Sequence, residues 1–214
     1  MNTEMKKTIV LADDHAMFRQ GLSALLEKEG YEIAGQATNG HEAIRMVRQL
    51  NPMLVILDFG MPLLNGIDAA REILKRTPTA QIILLTMYED DAYVLEALKA
   101  GVRGYVLKSQ ATMDLVNAMR EVFKGSIYLS PGISEAVVKA YVSKRDQPFE
   151  LLSERETQVL QLIAEGHTTK KIASQLDLAV KTAESHRTRI MQKLNIHETA
   201  GLVRYAIRRG LIDA

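Results

Sequence analysis

Residues 54–66 read LVILDFGMPLLNG. Four apolar residues run straight into Asp58, and a short loop ending in Asn65-Gly66 follows. A continuous apolar run of this length, bounded by turn residues, suits a strand buried on both faces of a parallel sheet. An ionised carboxylate at the end of such a strand costs several kcal/mol unless a cation meets it. The fold therefore depends on which sheet buries the strand, and the function on what meets Asp58.

Around this stretch, short apolar runs alternate with helical patterns as far as about residue 124. The strand candidates are TIVLAD (8–13), YEIAGQA (31–37), MLVILD (53–58), QIILLT (81–86) and GYVLK (104–108). Between and after them, segments 17–29, 40–50, 65–76, 90–101 and 111–125 carry apolar residues at three- and four-residue spacing. Strict alternation of strand and helix predicts an α/β domain with a five-stranded parallel sheet and helices on both faces. Ligands of such sheets sit beyond the carboxyl ends of the strands.

The strand ends are polar at that rim. The first strand ends in Asp13-Asp14, the third in Asp58, the fourth in Thr86, and the fifth in Lys108. A single strand-end Asp is ordinarily a helix cap or a solvated loop residue, but structure alone has no need for this whole set on one sheet. Three carboxylates, a hydroxyl and an ammonium suit a hard divalent cation such as Mg²⁺, which takes oxygen ligands and leaves room for phosphate oxygens. A carboxylate beside that cation and a lysine is equipped to attack a phosphoryl donor, with Asp58 as the nucleophile. Asp58-Phe59-Gly60 also matches the metal-binding tripeptide of protein kinases. A glycine-rich loop, a Val-Ala-Ile-Lys strand and a His-Arg-Asp loop do not precede it, so the match is coincidental.

From about residue 125 the sequence carries no strand signal. SPGISEAVVKAYVSK (130–144) reads as a helix with Pro131 near its start, and RDQPFE (145–150) as a Pro-broken linker. Ser153 and Glu156 then form a capping box and Gly166 closes the helix they open. Three more helices fit 168–176, 180–194 and 198–210. The first turns Ile172, Ala173 and Leu176 inward; after a turn at Asp177-Leu178, the next carries Ala183, Ile190 and Leu194 on its apolar stripe. That is a helix-turn-helix pattern. The outer face of its second helix offers Lys181, Thr182, Glu184, Ser185, Arg187, Thr188, Arg189 and Lys193. Basic residues there suit a phosphate backbone, and short polar side chains near the helix start suit base edges. His186 has no second metal ligand at a suitable spacing and reads as a packed or phosphate-contacting residue.

Composition sets the outer limits. Of 214 residues none is cysteine, which excludes a disulfide framework and thiolate metal sites and agrees with a reducing compartment. The start MNTEMKKTIVLADD lacks a leader pattern and no apolar run approaches a membrane span, so a cytoplasmic protein is expected. Residues 151–214 hold 10 Lys or Arg against 7 Asp or Glu, whereas the first 150 hold 17 against 19. The modest excess of positive charge leans toward nucleic acid at the C-terminal end.

Residues 7–124 resemble a two-component receiver domain, with LADDH, LDFGMP…NG, LLT and GYVLK standing where that family has its markers. The resemblance implies a doubly wound, flavodoxin-like fold, Asp58 as phosphoacceptor and Asp14 as a direct Mg²⁺ ligand. Asp13 acts largely through water and the carbonyl of Gly60 completes the protein ligands. Thr86 and Lys108 meet the phosphoryl group, and Tyr105 is the aromatic that changes rotamer with Thr86. Met87 departs from the pattern, which usually has a small residue after the switch threonine.

Residues 151–212 resemble the LuxR-type helix-turn-helix domain. Ala179 stands where a capping Ser is common and Asn195 where Gly often closes the recognition helix. Together the two parts resemble a response regulator of the NarL/FixJ class: a receiver over 1–124, a linker with a helix over 125–150 and a DNA-binding domain over 151–214. The implied protein is a transcriptional regulator rather than an enzyme. Its partners are a sensor histidine kinase, promoter DNA and, on activation, a second copy of itself, with Val203 and Ile207 of GLVRYAIRRGLI on the contact stripe.

Overall fold

The computed structural model describes residues 7–89, 91–133, 152–194 and 196–212. The chain forms two compact units, Met1–Lys144 and Arg145–Ala214. In the first, β1 (Thr8–Ala12), α1 (Ala16–Lys28), β2 (Glu32–Ala37), α2 (Gly40–Leu50), β3 (Leu54–Asp58), α3 (Gly66–Arg76), β4 (Gln81–Thr86), α4 (Asp91–Lys99), β5 (Gly104–Leu107) and α5 (Ala111–Phe123) alternate as the sequence pattern requires. The sheet order is β2-β1-β3-β4-β5 with every pair parallel.

Period-two alternation assigns the strand residues to faces. Ile9 and Leu11 of β1, Leu54 and Ile56 of β3, and Ile83 and Leu85 of β4 form one buried cluster with Leu22 and Leu26 of α1 and Leu115, Met119 and Val122 of α5. Their neighbours Val10, Val55, Leu57, Ile82 and Leu84 are also fully buried, because α2 and α3 cover the other face. Strand β2, at the edge, is the most exposed of the long strands, which matches its polar EIAGQA sequence. The chain direction of travel across the sheet reverses between β1 and β3, so the loops after these two strands splay apart and leave a crevice at their carboxyl ends.

The loop after Asp58 is folded tightly beneath it. Gly66 N–H donates to the Phe59 carbonyl at 3.0 Å, and a Cβ on Gly66 would stand 2.3 Å from the Asp58 carbonyl oxygen. Only glycine permits that approach. Asn65 caps α3, its side chain accepting from Asp68 N–H at 3.0 Å.

The sheet has a sixth strand where none is expected. Strand β6 (Tyr128–Leu129) pairs in parallel with β5. Tyr128 N–H donates to Arg103 O at 2.8 Å and Ser130 N–H to Tyr105 O at 3.0 Å. The buried Ser130 hydroxyl accepts from Leu107 N–H at 3.2 Å and donates to Asp114 Oδ2 at 2.9 Å. Two residues are too few to show an alternation, and backbone bonds plus one serine make this strand. The helix expected over 130–144 is described only as a helical turn at residues 131–133; its remainder, the 145–150 linker and Asn195 lie outside the described residues.

The second unit contains α6 (Glu154–Ala164), α7 (Thr169–Gln175), α8 (Val180–Leu194) and α9 (Thr199–Arg208). Both halves of the Ser153–Glu156 capping box are formed. Gly166, at φ +82°, closes α6, with His167 N–H returning to Leu162 O. Ile172, Ala173, Ala183 and Ile190 are buried with Val159, Leu160, Leu202 and Ala206, while Leu176 and Leu194, expected inward, are half-buried. Asp177 turns the chain between α7 and α8 at φ +52°.

Candidate functional site

Strands β1, β3 and β5 deliver their terminal side chains to the crevice. Asp13 follows β1 and is fully buried, Asp58 ends β3 at 3% exposure, and Lys108 opens the short 3₁₀ turn after β5. The Lys108 ammonium stands 2.9 Å from Asp13 Oδ2 and 2.8 Å from Asp58 Oδ2. The ring of Phe18, from α1, lies 4.9 Å from the same nitrogen and supports it from its face. Arg19 donates to the Asp13 carbonyl at 2.5 Å, tying the start of α1 to the end of β1.

Two carboxylates and one ammonium leave net negative charge in a nearly dry place. Burial, reinforced by the charge of Asp13, pushes the Asp58 carboxyl up to about 6, against the opposing pull of Lys108 and the Gly60 N–H. Burial works to lower Lys108, but Asp58 and Asp13 outweigh it and raise its pKa. Ligand atoms of Asp13, Asp14, His15 and Asp58 lie within 4.8 Å of one another. Asp13 Oδ2 and Asp14 Oδ1 are buried, each met by a single cationic group or imidazole, Lys108 at 2.9 Å and His15 at 3.0 Å. Hard oxygen donors, incompletely satisfied and converging at a strand-end crevice, fit a divalent cation. Gly60 is at the site through its N–H, which bonds Asp58.

Thr86 and Tyr105 are both fully buried. They are joined through a residue the sequence did not single out: Tyr88 donates its N–H to Thr86 Oγ1 at 3.1 Å and accepts on its carbonyl from Tyr105 O–H at 3.2 Å. Phe59, next to Asp58, packs edge-on against Tyr88 with ring centroids 5.8 Å apart and against Tyr93 at 5.0 Å. Phe59 entered the sequence reading only as part of a coincidental tripeptide, yet it links the β3 end to this aromatic cluster. No local pattern marks such contacts, because they join separate loops. Met87 is 66% exposed.

In the second unit, α8 exposes Lys181, Thr182, Glu184, Ser185, Thr188, Arg189 and Lys193, with Arg187 half-buried. Two of the basic residues also hold the unit together. Lys193 donates to Glu156 Oε2 at 2.9 Å, and Arg187 to Thr199 Oγ1 at 2.6 Å. Burial acts to raise the Glu156 carboxyl, but Lys193 and the Ser153 N–H prevail and hold it below its ordinary value. Lys181 and Arg189 have no ion pair among the described residues. Ser185 and Thr188 bond back to the carbonyls of Lys181 and Glu184 at 3.0 and 3.1 Å, which orders both hydroxyls on the outer face. Ala179 contributes its carbonyl alone to the helix start, accepting from Thr182 and Ala183. His186 is half-buried, as a packed residue, and its Nδ1 has no hydrogen-bond partner.

Residues 9–120 match the response regulator receiver domain, and residues 150–206 match the bacterial regulatory proteins of the luxR family. The chain belongs to the two-component response regulators of NarL/FixJ type, in which a receiver is joined to a luxR-type DNA-binding domain. It is 39% identical over 214 residues to the oxygen regulatory protein NreC of Staphylococcus carnosus, covering 96% of this chain and 99% of that protein. To the response regulator GacA of Pseudomonas aeruginosa it is 34% identical over 209 residues, covering 96% and 98%. RcsB from Salmonella enterica serovar Typhimurium, solved bound to promoter rprA in the presence of the phosphomimetic BeF₃⁻, is 27% identical with a TM-score of 0.71, covering 94% and 98%. No described helix is long and apolar enough to cross a membrane.

The raised Asp58 pKa fixes a sign for stability. Between its ordinary value of 3.8 and about 6, the folded state binds the proton more tightly than the unfolded state. The ionised carboxylate therefore destabilises the metal-free fold; the cost is absent below 3.8 and fully present above about 6. Asp58→Asn should stabilise the metal-free protein by about 1–3 kcal/mol at pH 7.5 and leave it nearly unchanged near pH 4. Urea unfolding of both proteins with chelator at several pH values checks this; a difference independent of pH would contradict it.

Proposed function

We propose that Asp58 accepts a phosphoryl group from a sensor histidine kinase and that the resulting charge controls DNA binding by α8. The reading rests on one observation: a buried lysine ammonium shared by two strand-end carboxylates at the crevice of a doubly wound sheet. An oxygen of Asp58 attacks the phosphorus, the bond to the donor histidine nitrogen breaks, and the departing imidazole takes a proton from solvent. Asp13, Asp14 and the Gly60 carbonyl would hold Mg²⁺ with Asp58, which supplies charge neutralisation to the phosphoryl oxygens. Lys108 then moves its partnership from the two carboxylates to the phosphoryl group, and Thr86 donates to it. Thr86 gives up Tyr88 N–H as its partner, and Tyr105, tied to the same Tyr88, changes with it.

The chain serves as a phosphoryl acceptor that switches state, rather than as an enzyme with turnover, and acts in the cytoplasm. Residues 1–124 form the receiver, to whose sheet β6 is added; 125–150 connect it to the DNA-binding domain at 151–214. Two copies would join on phosphorylation and place two recognition helices on adjacent half-sites, which raises specificity through effective concentration. Val203 and Ile207 of α9 are the contacts assigned to the second domain.

Acetyl phosphate should label the wild-type chain only with Mg²⁺ present, and Asp58→Asn should remove the label while the fold survives. Labelling of the variant at the wild-type level would place the acceptor elsewhere.

On α8, Lys181→Ala and Arg189→Ala should weaken binding to specific and random duplex alike, each lowering the magnitude of the log-affinity against log-salt slope by about one. Glu184→Ala or Ser185→Ala should cost roughly 1–3 kcal/mol on the preferred site and little on random DNA. Arg187 and Lys193 differ from these, because their substitution also breaks the bonds to Thr199 and Glu156 and lowers the stability of the domain. A salt series on both duplexes measures all of these; an unchanged slope for Lys181→Ala and Arg189→Ala would remove α8 from the DNA backbone.

A further inference from the structure

Strand β6 lies beyond the residues matched to the receiver, 9–120, yet the residue that follows it is bonded to both ends of the segment that carries Lys108. Ser130 N–H donates to the Tyr105 carbonyl at 3.0 Å, and a continuing parallel ladder would next take Leu107 N–H to the Ser130 carbonyl. That carbonyl instead accepts from Ile133 N–H at 2.9 Å, because the chain turns away from the sheet. The Ser130 hydroxyl takes its place, accepting from Leu107 N–H at 3.2 Å and donating to Asp114 Oδ2 at 2.9 Å. Ser130 is fully buried and Leu107 is 2% exposed, so bulk water does not replace the first of these bonds. Asp114 also takes the Tyr128 hydroxyl, from the same strand.

Leu107 ends β5, Lys108–Gln110 form the 3₁₀ turn, and Asp114 stands in the first turn of α5. One hydroxyl therefore spans the 107–114 segment and fixes how far apart its ends stand. Lysine is a compact charge on a flexible four-carbon stem, so the place where its ammonium comes to rest depends on where the backbone starts it. Here that place is between Asp13 and Asp58, at 2.9 and 2.8 Å. We infer that Ser130 is a positioning residue for phosphoryl acceptance: with Asp114 it holds the 107–114 segment so that the Lys108 ammonium stands beside Asp58. This rests on the phosphoacceptor role proposed for Asp58, and it deepens that reading by extending the acceptor unit past α5 to residue 130. Ser130 acts through the Leu107 peptide and not on the reacting atoms.

The test uses the full chain as wild type, Ser130→Ala, Asp114→Asn and Tyr128→Phe, with acetyl phosphate and Mg²⁺ each raised to saturation. Ser130→Ala should lower the saturated labelling rate by about tenfold or more without weakening Mg²⁺ affinity, since a misplacement of about 1 Å costs up to about a hundredfold. Asp114→Asn keeps the shape of its side chain and weakens one end of the clamp, so its rate should fall by about threefold or more. Tyr128→Phe takes a hydroxyl from the same strand and the same carboxylate but leaves Leu107 N–H bonded, and should label at the wild-type rate. In ¹⁵N spectra of the metal-free proteins, the Lys108 ammonium resonance should move in Ser130→Ala and Asp114→Asn and keep its place in Tyr128→Phe. Lower stability alone would change neither that resonance nor the saturated rate of the folded protein. A wild-type rate or an unmoved Lys108 resonance in Ser130→Ala overturns the inference, as does an equal loss of rate in Tyr128→Phe. Should Ser130→Ala not fold, the same two readouts on Asp114→Asn decide. If wild type takes no label, the proposed function falls, and the Lys108 resonance still decides whether Ser130 positions the lysine.

Discussion

The buried ammonium of Lys108 is the interaction on which the rest of the first unit depends. Asp13 and Asp58 arrive from different strands, and each is too buried to be held ionised by water. One cation 2.9 and 2.8 Å away makes the pair tolerable, and it does so from a third strand. Removing the shared ammonium leaves two uncompensated buried carboxylates, typically a loss of about 3–5 kcal/mol, whereas removing the Asp58 charge relieves the excess. The same arrangement leaves Asp58 short of full compensation, with its carboxyl raised to about 6. A site in that condition gains from any added positive charge. The chemistry and the instability therefore have one cause.

That tension is wired to the rest of the sheet by short-range bonds. Lys108 follows directly on Leu107, whose N–H is held by Ser130, and Tyr105 accepts the Ser130 N–H on its carbonyl. The chain that follows α5 is thus bonded to the strand that carries Tyr105 and leads into Lys108. On the other side of β4, Thr86 and Tyr105 share Tyr88, and Phe59 packs against Tyr88 from the end of β3. A displacement of Lys108 or Thr86 has defined neighbours to act on, in both the exit strand and the aromatic cluster.

Much of this was legible in the sequence because it is written in local patterns. The LVILD run, the period of α2 and α3 and the Ser153–Glu156 box each depend on residues close in the chain, and the polar strand ends marked the rim where Asp13, Asp58 and Lys108 meet. What escaped is what local pattern cannot carry. Strand β6 is two residues held by backbone bonds. Tyr88 acts through its peptide groups, which have no sequence signature. Phe59 seemed incidental because its ring contacts lie in another loop. On α8, periodicity gave the outer face but did not separate Lys181 and Arg189, which pair with no acid among the described residues, from Arg187 and Lys193, which bond α9 and the Glu156 cap.

Under the proposed function, charge added at Asp58 governs the affinity of α8 for DNA. The most direct test is the affinity of the full chain for duplex DNA at fixed salt, measured with and without beryllofluoride and Mg²⁺, in wild type and in Asp58→Asn. Coupling of about 1–3 kcal/mol predicts that beryllofluoride tightens wild-type binding by about 5- to 150-fold and leaves Asp58→Asn unchanged. Equal wild-type affinity in the two conditions, or the same tightening in Asp58→Asn, would contradict it.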